Sequence, residues 1–143
     1  MTEYRSWTVW DAGIRRFHWI NLLCMLGLIG VAVVILNAKT LGVSTDGKIL
    51  LKTVHVWIGY VFALNLAWRL LLAFTGGPHA RWHAILPFKR GYREEVRDHF
   101  SAFRAGRPRQ YLGHNPLGRL AVTVLLLLLT SQAVTGLVLA GTD

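Results

Sequence analysis

The chain has 143 residues, of which 53% are hydrophobic, with a mean hydropathy of +0.40 and a formal charge of +9. That is too apolar for an average water-soluble domain, and the apolar residues come in blocks rather than at the spacing of a soluble amphipathic fold. A soluble nucleic-acid binder is excluded because the blocks would have nowhere to go, and with Cys24 as the one cysteine there is no intrachain disulfide.

Residues 1 to 16 form a short amphiphilic lead-in, in which Trp7 and Trp10 favour the membrane–water interface and predict a helix lying on the membrane surface. Phe17 to Ala38 then runs 22 residues without a charge. A helix rises 1.5 Å per residue, so about 20 residues cross a ~30 Å hydrocarbon core. The first span is therefore expected near 17–38. Its apolar run is longer than that of a signal peptide and no convincing cleavage site follows, so no cleavable leader is expected. Cys24, inside this span, is expected to pack as a small apolar residue.

Asn37 to Asp46 reads as a turn-rich connection. Thr53 to Trp68 gives 16 uncharged residues, followed by Arg69 and then Leu70 to Phe74. This predicts a second span near 53–74, with Arg69 snorkelling to the headgroups from near the helix end. Gly76-Gly77-Pro78 stops it. The loop 75–119 is the one large polar region. Within it, residues 92–103 carry Glu94 and Glu95 early and Val96, Phe100 and Phe103 at helical spacing, with Arg93, Arg97 and Arg104 on the wetter side. That is a short amphipathic helix, either floating at the inner membrane surface or docking a cytoplasmic or membrane partner. Gly106 to Gly113 is loop. Asn115 as N-cap and Pro116 at the first helical position open the third span, whose apolar run Leu120 to Gly141 is again 22 residues long.

The charge is distributed as a topology signal. Ten of the 16 basic residues lie from Arg69 to Arg119, three precede the first span (Arg5, Arg15, Arg16), and the short connection holds Lys39, Lys48 and Lys52. Under the positive-inside rule the N-terminus and the long loop are cytoplasmic and the short connection is outside. A basic loop beside a membrane meets anionic lipid rather than nucleic acid.

Two side chains stand out against the apolar background. His18 lies near the inner end of the first span and His55 near the outer end of the second. An ionisable group in hydrocarbon is costly and is a functional hypothesis by default. A neutral imidazole there most often holds a metal, and in a helical bundle that metal is often haem iron. Because the two spans are antiparallel, the imidazoles are expected to differ in depth by roughly 15 to 25 Å. They cannot share one iron, so two ligands mean two haems. Gly59 follows His55 at i+4 on the same face and leaves room for a flat macrocycle, with Phe62 at i+7 to pack on its edge. Leu22 and Met25 form the apolar wall near His18. His79, His83, His99 and His114 fall in the loop; His114, close to the third span, is a secondary candidate. Covalent c-type attachment is excluded, because no C-x-x-C-H is present. A six-coordinate b-haem takes two axial ligands, and the geometry asks for a further helix with two histidines.

Arg16-Phe17-His18-Trp19, then His55-x-x-x-Gly59 with Arg69 further along, then Gly113-His114-Asn115-Pro116-Leu117-Gly118, resemble the prokaryotic cytochrome b561 family. Its relatives include the b-type subunits of membrane-bound nickel–iron hydrogenases. The resemblance runs from about Val9 to the C-terminus. It implies an all-α integral membrane bundle of four helices, three of them present here, holding two non-covalent b-haems. The first and second helices of the family each give one histidine, matching His18 and His55, and the fourth gives the other two. The chain stops after its third span, so either it is part of a longer protein, which is the favoured reading, or a partner supplies the fourth helix. The His114 motif recurs in the family without being an axial ligand.

The leading expectation is thus a diheme b-type cytochrome of the bacterial inner membrane and its respiratory chain, multi-pass, with a cytoplasmic N-terminus. It would carry electrons between the quinone pool and a redox partner. Its partners would be membrane lipid, a quinone, a cytochrome c or an oxidoreductase subunit, or a second copy of the chain. Arg15, Arg16 or Arg119 would neutralise the propionates of the inner haem. The alternative is a non-redox membrane anchor or assembly subunit, colourless and tolerant of His55→Ala. A third reading is an enzyme acting at a haem edge, which requires turnover by the isolated protein.

Overall fold

Five helices follow one another in the computed structural model, which describes residues 11–107 and 109–142. They are α1 (Ala12–Leu36), α2 (Thr45–Thr75), α3 (Trp82–Ile85), α4 (Tyr92–Arg104) and α5 (Pro116–Ala140), and no strand occurs among the described residues. α1, α2 and α5 are each long and apolar enough to cross a membrane. Trp7, Trp10 and the surface helix expected around them lie outside the described residues.

The long helices begin earlier than the apolar runs because their caps are polar. Asp11 Oδ1 accepts the Ile14 N–H at 2.9 Å, so the end of the expected lead-in is already the first turn of α1. Ser44 Oγ accepts the Gly47 N–H at 3.1 Å and starts α2 at Thr45, well before residue 53. Asn115 Oδ1 accepts the Gly118 N–H at 2.6 Å, with Pro116 at the first helical position. In each case a side-chain oxygen takes up a backbone donor that the helix itself leaves unpaired. α1 ends in a turn in which Val43 N–H donates to Ala38 O at 2.9 Å and Gly42 takes φ +67°.

The chain divides into two compact units. One comprises Arg16–Leu70 and the chain from Leu128 onward. Here Asn65 Nδ2 donates to Phe17 O at 3.1 Å, and a Cβ placed on Gly27 would lie 3.3 Å from Ile58 Cδ1. As numbers rise on α1 they fall on α2, so the two helices are antiparallel, and Gly27 permits their close approach. Cys24 is buried and free, packed as the small apolar residue expected. Arg69 departs from expectation. It is only 4% exposed and engaged with a partner rather than reaching for headgroups. A guanidinium partnered inside protein costs less than one facing hydrocarbon.

The other unit comprises Leu71–Leu127 with the segment ending at Arg15. Asp11 Oδ2 accepts the Gly77 N–H at 3.2 Å, tying the start of α1 to the turn that ends α2. Ile85, at the end of α3, is fully buried, and its carbonyl accepts the Thr123 hydroxyl at 3.1 Å. Gly113 takes φ +95°, and a Cβ there would lie 2.8 Å from His79 Nδ1, so both backbone and space demand glycine.

α4 is held by polar contacts. Tyr92 Oη donates to Pro116 O at 2.8 Å, Arg119 Nη1 pairs with Glu95 at 3.3 Å, and His99 Nδ1 lies 3.2 Å from Tyr111 Oη. These turn Tyr92, Glu95, Val96 and His99 inward and leave Phe100 and Phe103 exposed. Phe100 and Phe103 thus lie on a face that the described residues leave uncovered.

Candidate functional site

Within the unit of Arg16–Leu70 and the last turns of α5, three helices surround an open cavity of about 450 Å³. α2 supplies Lys52, His55, Val56, Gly59, Tyr60 and Phe62. α1 contributes Leu28, Ala32, Ile35 and Leu36, and α5 contributes residues from Gln132 to Ala140. His55 is half-buried, its Nδ1 is enclosed, and it makes no hydrogen bond to any described residue. An imidazole with no hydrogen bond to a described residue, set in a largely apolar cavity, is available to a Lewis acid.

The glycines that face this cavity leave it wide. A Cβ on Gly59 would meet nothing within 4 Å, and the same holds for Gly136 on α5. Phe62 is buried at the cavity wall. On α5 the small residues Ala133, Gly136 and Ala140 alternate with Gln132, Leu137 and Leu139 along the cavity wall. Sequence reasoning singled out His55, Gly59 and Phe62. It missed Lys52, Gln132 and the α5 wall. Lys52 was accessible through its i−3 spacing from His55, whereas nothing local to Gly136 marks it.

His18 is placed differently. It is exposed on α1, its ring meeting Phe17 edge-on at a centroid distance of 6.4 Å. Leu22 beside it is exposed and Met25 half-buried. The contacts between Phe17 and Asn65 and between Gly27 and Ile58 set the register of α1 against α2. His55 is level with residues 28 to 30 of α1, which puts it roughly 15 to 18 Å along the helix axis from His18. The two imidazoles do not converge.

Of the basic candidates, Arg15 and Arg16 are exposed. Arg119 is half-buried and paired with Glu95 at 3.3 Å, which already balances the charge the sequence reading offered to a propionate. His114 is half-buried and has a partner, in the turn before α5. His79 packs against Gly113 and His99 against Tyr111.

Residues 9–142 match the profile of the prokaryotic cytochrome b561 family. The chain belongs to that family. Among curated proteins, it is 31% identical over 121 residues to a protein of Cupriavidus necator, covering 80% of this chain and 50% of that one. It is 32% identical over 123 residues to one of Azotobacter vinelandii, with the same coverage. It is 30% identical over 141 residues to one of Escherichia coli K12, covering 92% of this chain and 59% of the relative. The first two are named "Probable Ni/Fe-hydrogenase B-type cytochrome subunit" and the third is the hydrogenase 1 counterpart. The chain spans about half the length of the curated relatives it matches. No solved structure matches it.

A b561 cytochrome is a membrane protein of the b type, and the three apolar helices accord with that class. The b type implies haem b. The cavity at His55 fits such a group: an imidazole with no hydrogen bond to a described residue, largely apolar walls on three helices, and open space over Gly59 and Gly136.

Proposed function

We propose that this b561-family protein is a two-haem electron carrier, with His55 as an axial ligand of the outer haem and His18 of the inner one. The observation that carries the reading is the imidazole of His55, which makes no hydrogen bond to a described residue at a cavity flanked by Gly59 and Gly136. When bound, haem iron supplies one-electron chemistry, cycling between ferric and ferrous forms. The chain's own residues hold and shield it. With haem bound, His55 would donate a nitrogen lone pair, Gly59 and Gly136 would admit a flat ring close to two backbones, and Phe62 with the α1 aliphatic residues would shield it from water. The separation of His18 from His55 along the helix axis supports two sites rather than one. A further helix, of the same polypeptide or a partner, would complete each coordination sphere.

The names of the relatives support a nickel–iron hydrogenase as the redox partner; a quinone at the other end of the path is part of the proposal. The basic residues of loop 75–119 support an inner-membrane orientation with that loop and the N-terminus cytoplasmic.

Haem content of the purified full-length protein tests the reading. A pyridine haemochrome assay should return about two b-haems per polypeptide, and His18→Ala and His55→Ala should each remove about one. Full haem content in His55→Ala would overturn the assignment of the outer ligand. A colourless wild-type protein would leave a non-redox membrane anchor in its place.

A further inference from the structure

We propose that Lys52 is the counter-ion for the carboxylate edge of the haem held at His55. The inference rests on the haem reading above and adds to it the residue that fixes the ring's orientation and potential. Most of the cavity lining is aliphatic, with Phe62; the polar exceptions besides His55 are Lys52, Tyr60 and Gln132. Lys52 is the one basic amine among them. It precedes His55 by three residues, so the two side chains share a face of α2, with Lys52 roughly 4.5 Å nearer the helix start.

That charge is not balanced within the described structure. Lys52 makes no ion pair or hydrogen bond with any described residue, and the acidic residue of its own helix's first turn, Asp46, stands almost two turns away. An exposed lysine at the end of a span lays its aliphatic stem along apolar surface and sends its ammonium toward a polar partner. A ligand suited to this cavity is an apolar disc that satisfies His55 through a metal and carries anionic groups on one edge. Haem b has that form, with both propionates on one side. With the iron held at His55, Lys52 at the rim would be placed to pair with that carboxylate edge.

The electrostatic consequence has a definite sign. A cation beside the ring favours the reduced iron, which carries one positive charge fewer, and so raises the midpoint potential of that haem. Removing the charge lowers it. Because Lys52 is exposed at the cavity rim, added salt should weaken the effect.

The test uses the full-length protein with its haem, titrated spectroelectrochemically, in the variants Lys52→Met, Lys52→Arg and Lys39→Met. Lys39 is exposed in the turn after α1, carries the same charge and does not line the cavity, so its variant controls for net charge. Lys52→Met should lower the potential of one haem, leave the other in place, and hasten loss of that haem to a scavenging apoprotein. Lys52→Arg should restore both properties, and Lys39→Met should change neither. The shift should survive in a His18→Ala background and vanish with the haem in His55→Ala. If Lys52→Met matches Lys39→Met, or alters only the anionic lipid that co-purifies, the pairing is overturned while the haem reading stands. If the wild-type protein carries no haem, both fall together.

Discussion

Gly136 shows how a single position can separate folding from ligand binding. Nothing lies within 4 Å of where its Cβ would be, and it lines the cavity that His55 faces. A leucine there strains no backbone and gains helix propensity, so thermal stability should hold within about 1 kcal/mol. The same leucine fills the space over which a macrocycle would lie. Gly136→Leu should therefore lose one haem, while its haem-free form melts close to haem-free wild type, read by haemochrome content alongside circular dichroism. Retention of both haems would show that this wall is not part of the site. Asn65 illustrates the complementary case. Its amide is 7% exposed, bonded to the Phe17 carbonyl, and serves the packing of α1 on α2 rather than any ligand.

At the scale of elements, polar residues decide where apolar helices begin. Asn115 lies outside the hydrophobic run of α5, yet its oxygen takes the Gly118 N–H at 2.6 Å. Asn115→Ala should cost about 0.5–2 kcal/mol of stability, measurable as a lower midpoint in a detergent thermal melt. A midpoint unchanged within error would mean that water or lipid replaces the cap without loss. α4 makes a related point. Its sequence places Val96, Phe100 and Phe103 at helical spacing, and three contacts to residues 111–119 turn Val96 inward while the two phenylalanines stay exposed. The ion pair among them, Arg119 with Glu95, is part-exposed, so by itself it contributes only about 0.2–1 kcal/mol. Orientation here comes from several weak polar contacts acting together.

For the whole molecule, the main physical fact is that the long helices leave most of their large apolar side chains uncovered by protein. In α1 and α5 only 6% of the most apolar stretch is buried, against 33% in α2. Side chains such as Leu23, Leu26, Leu127 and Leu128 are exposed and belong against lipid, which is as apolar as they are. The proposed orientation can be read with cysteine accessibility, because the native Cys24 is buried in a span and gives little background. In intact cells, an impermeant maleimide should label a cysteine at position 41 and fail to label one at position 105 until the membrane is opened. The reverse pattern would invert the topology.

Much of this protein follows from its sequence because the membrane enforces it. Hydrocarbon cannot solvate a free peptide group, so uninterrupted apolar runs become helices, and Asn115-Pro116 marked the start of α5 through its capping chemistry. The ordered motifs around His18, His55 and His114 also sufficed to name the family that the profile match establishes. The tertiary structure decided what depends on segments far apart in the chain. It turned Arg69 inward, engaged Arg119 with Glu95, and anchored α4 through Tyr92. It also brought Lys52 and the small residues of α5 to the same cavity as His55. Local periodicity reports which side of a helix is apolar. Which neighbour that side meets, and whether an apolar side is covered at all, is set by contacts between residues dozens of positions apart.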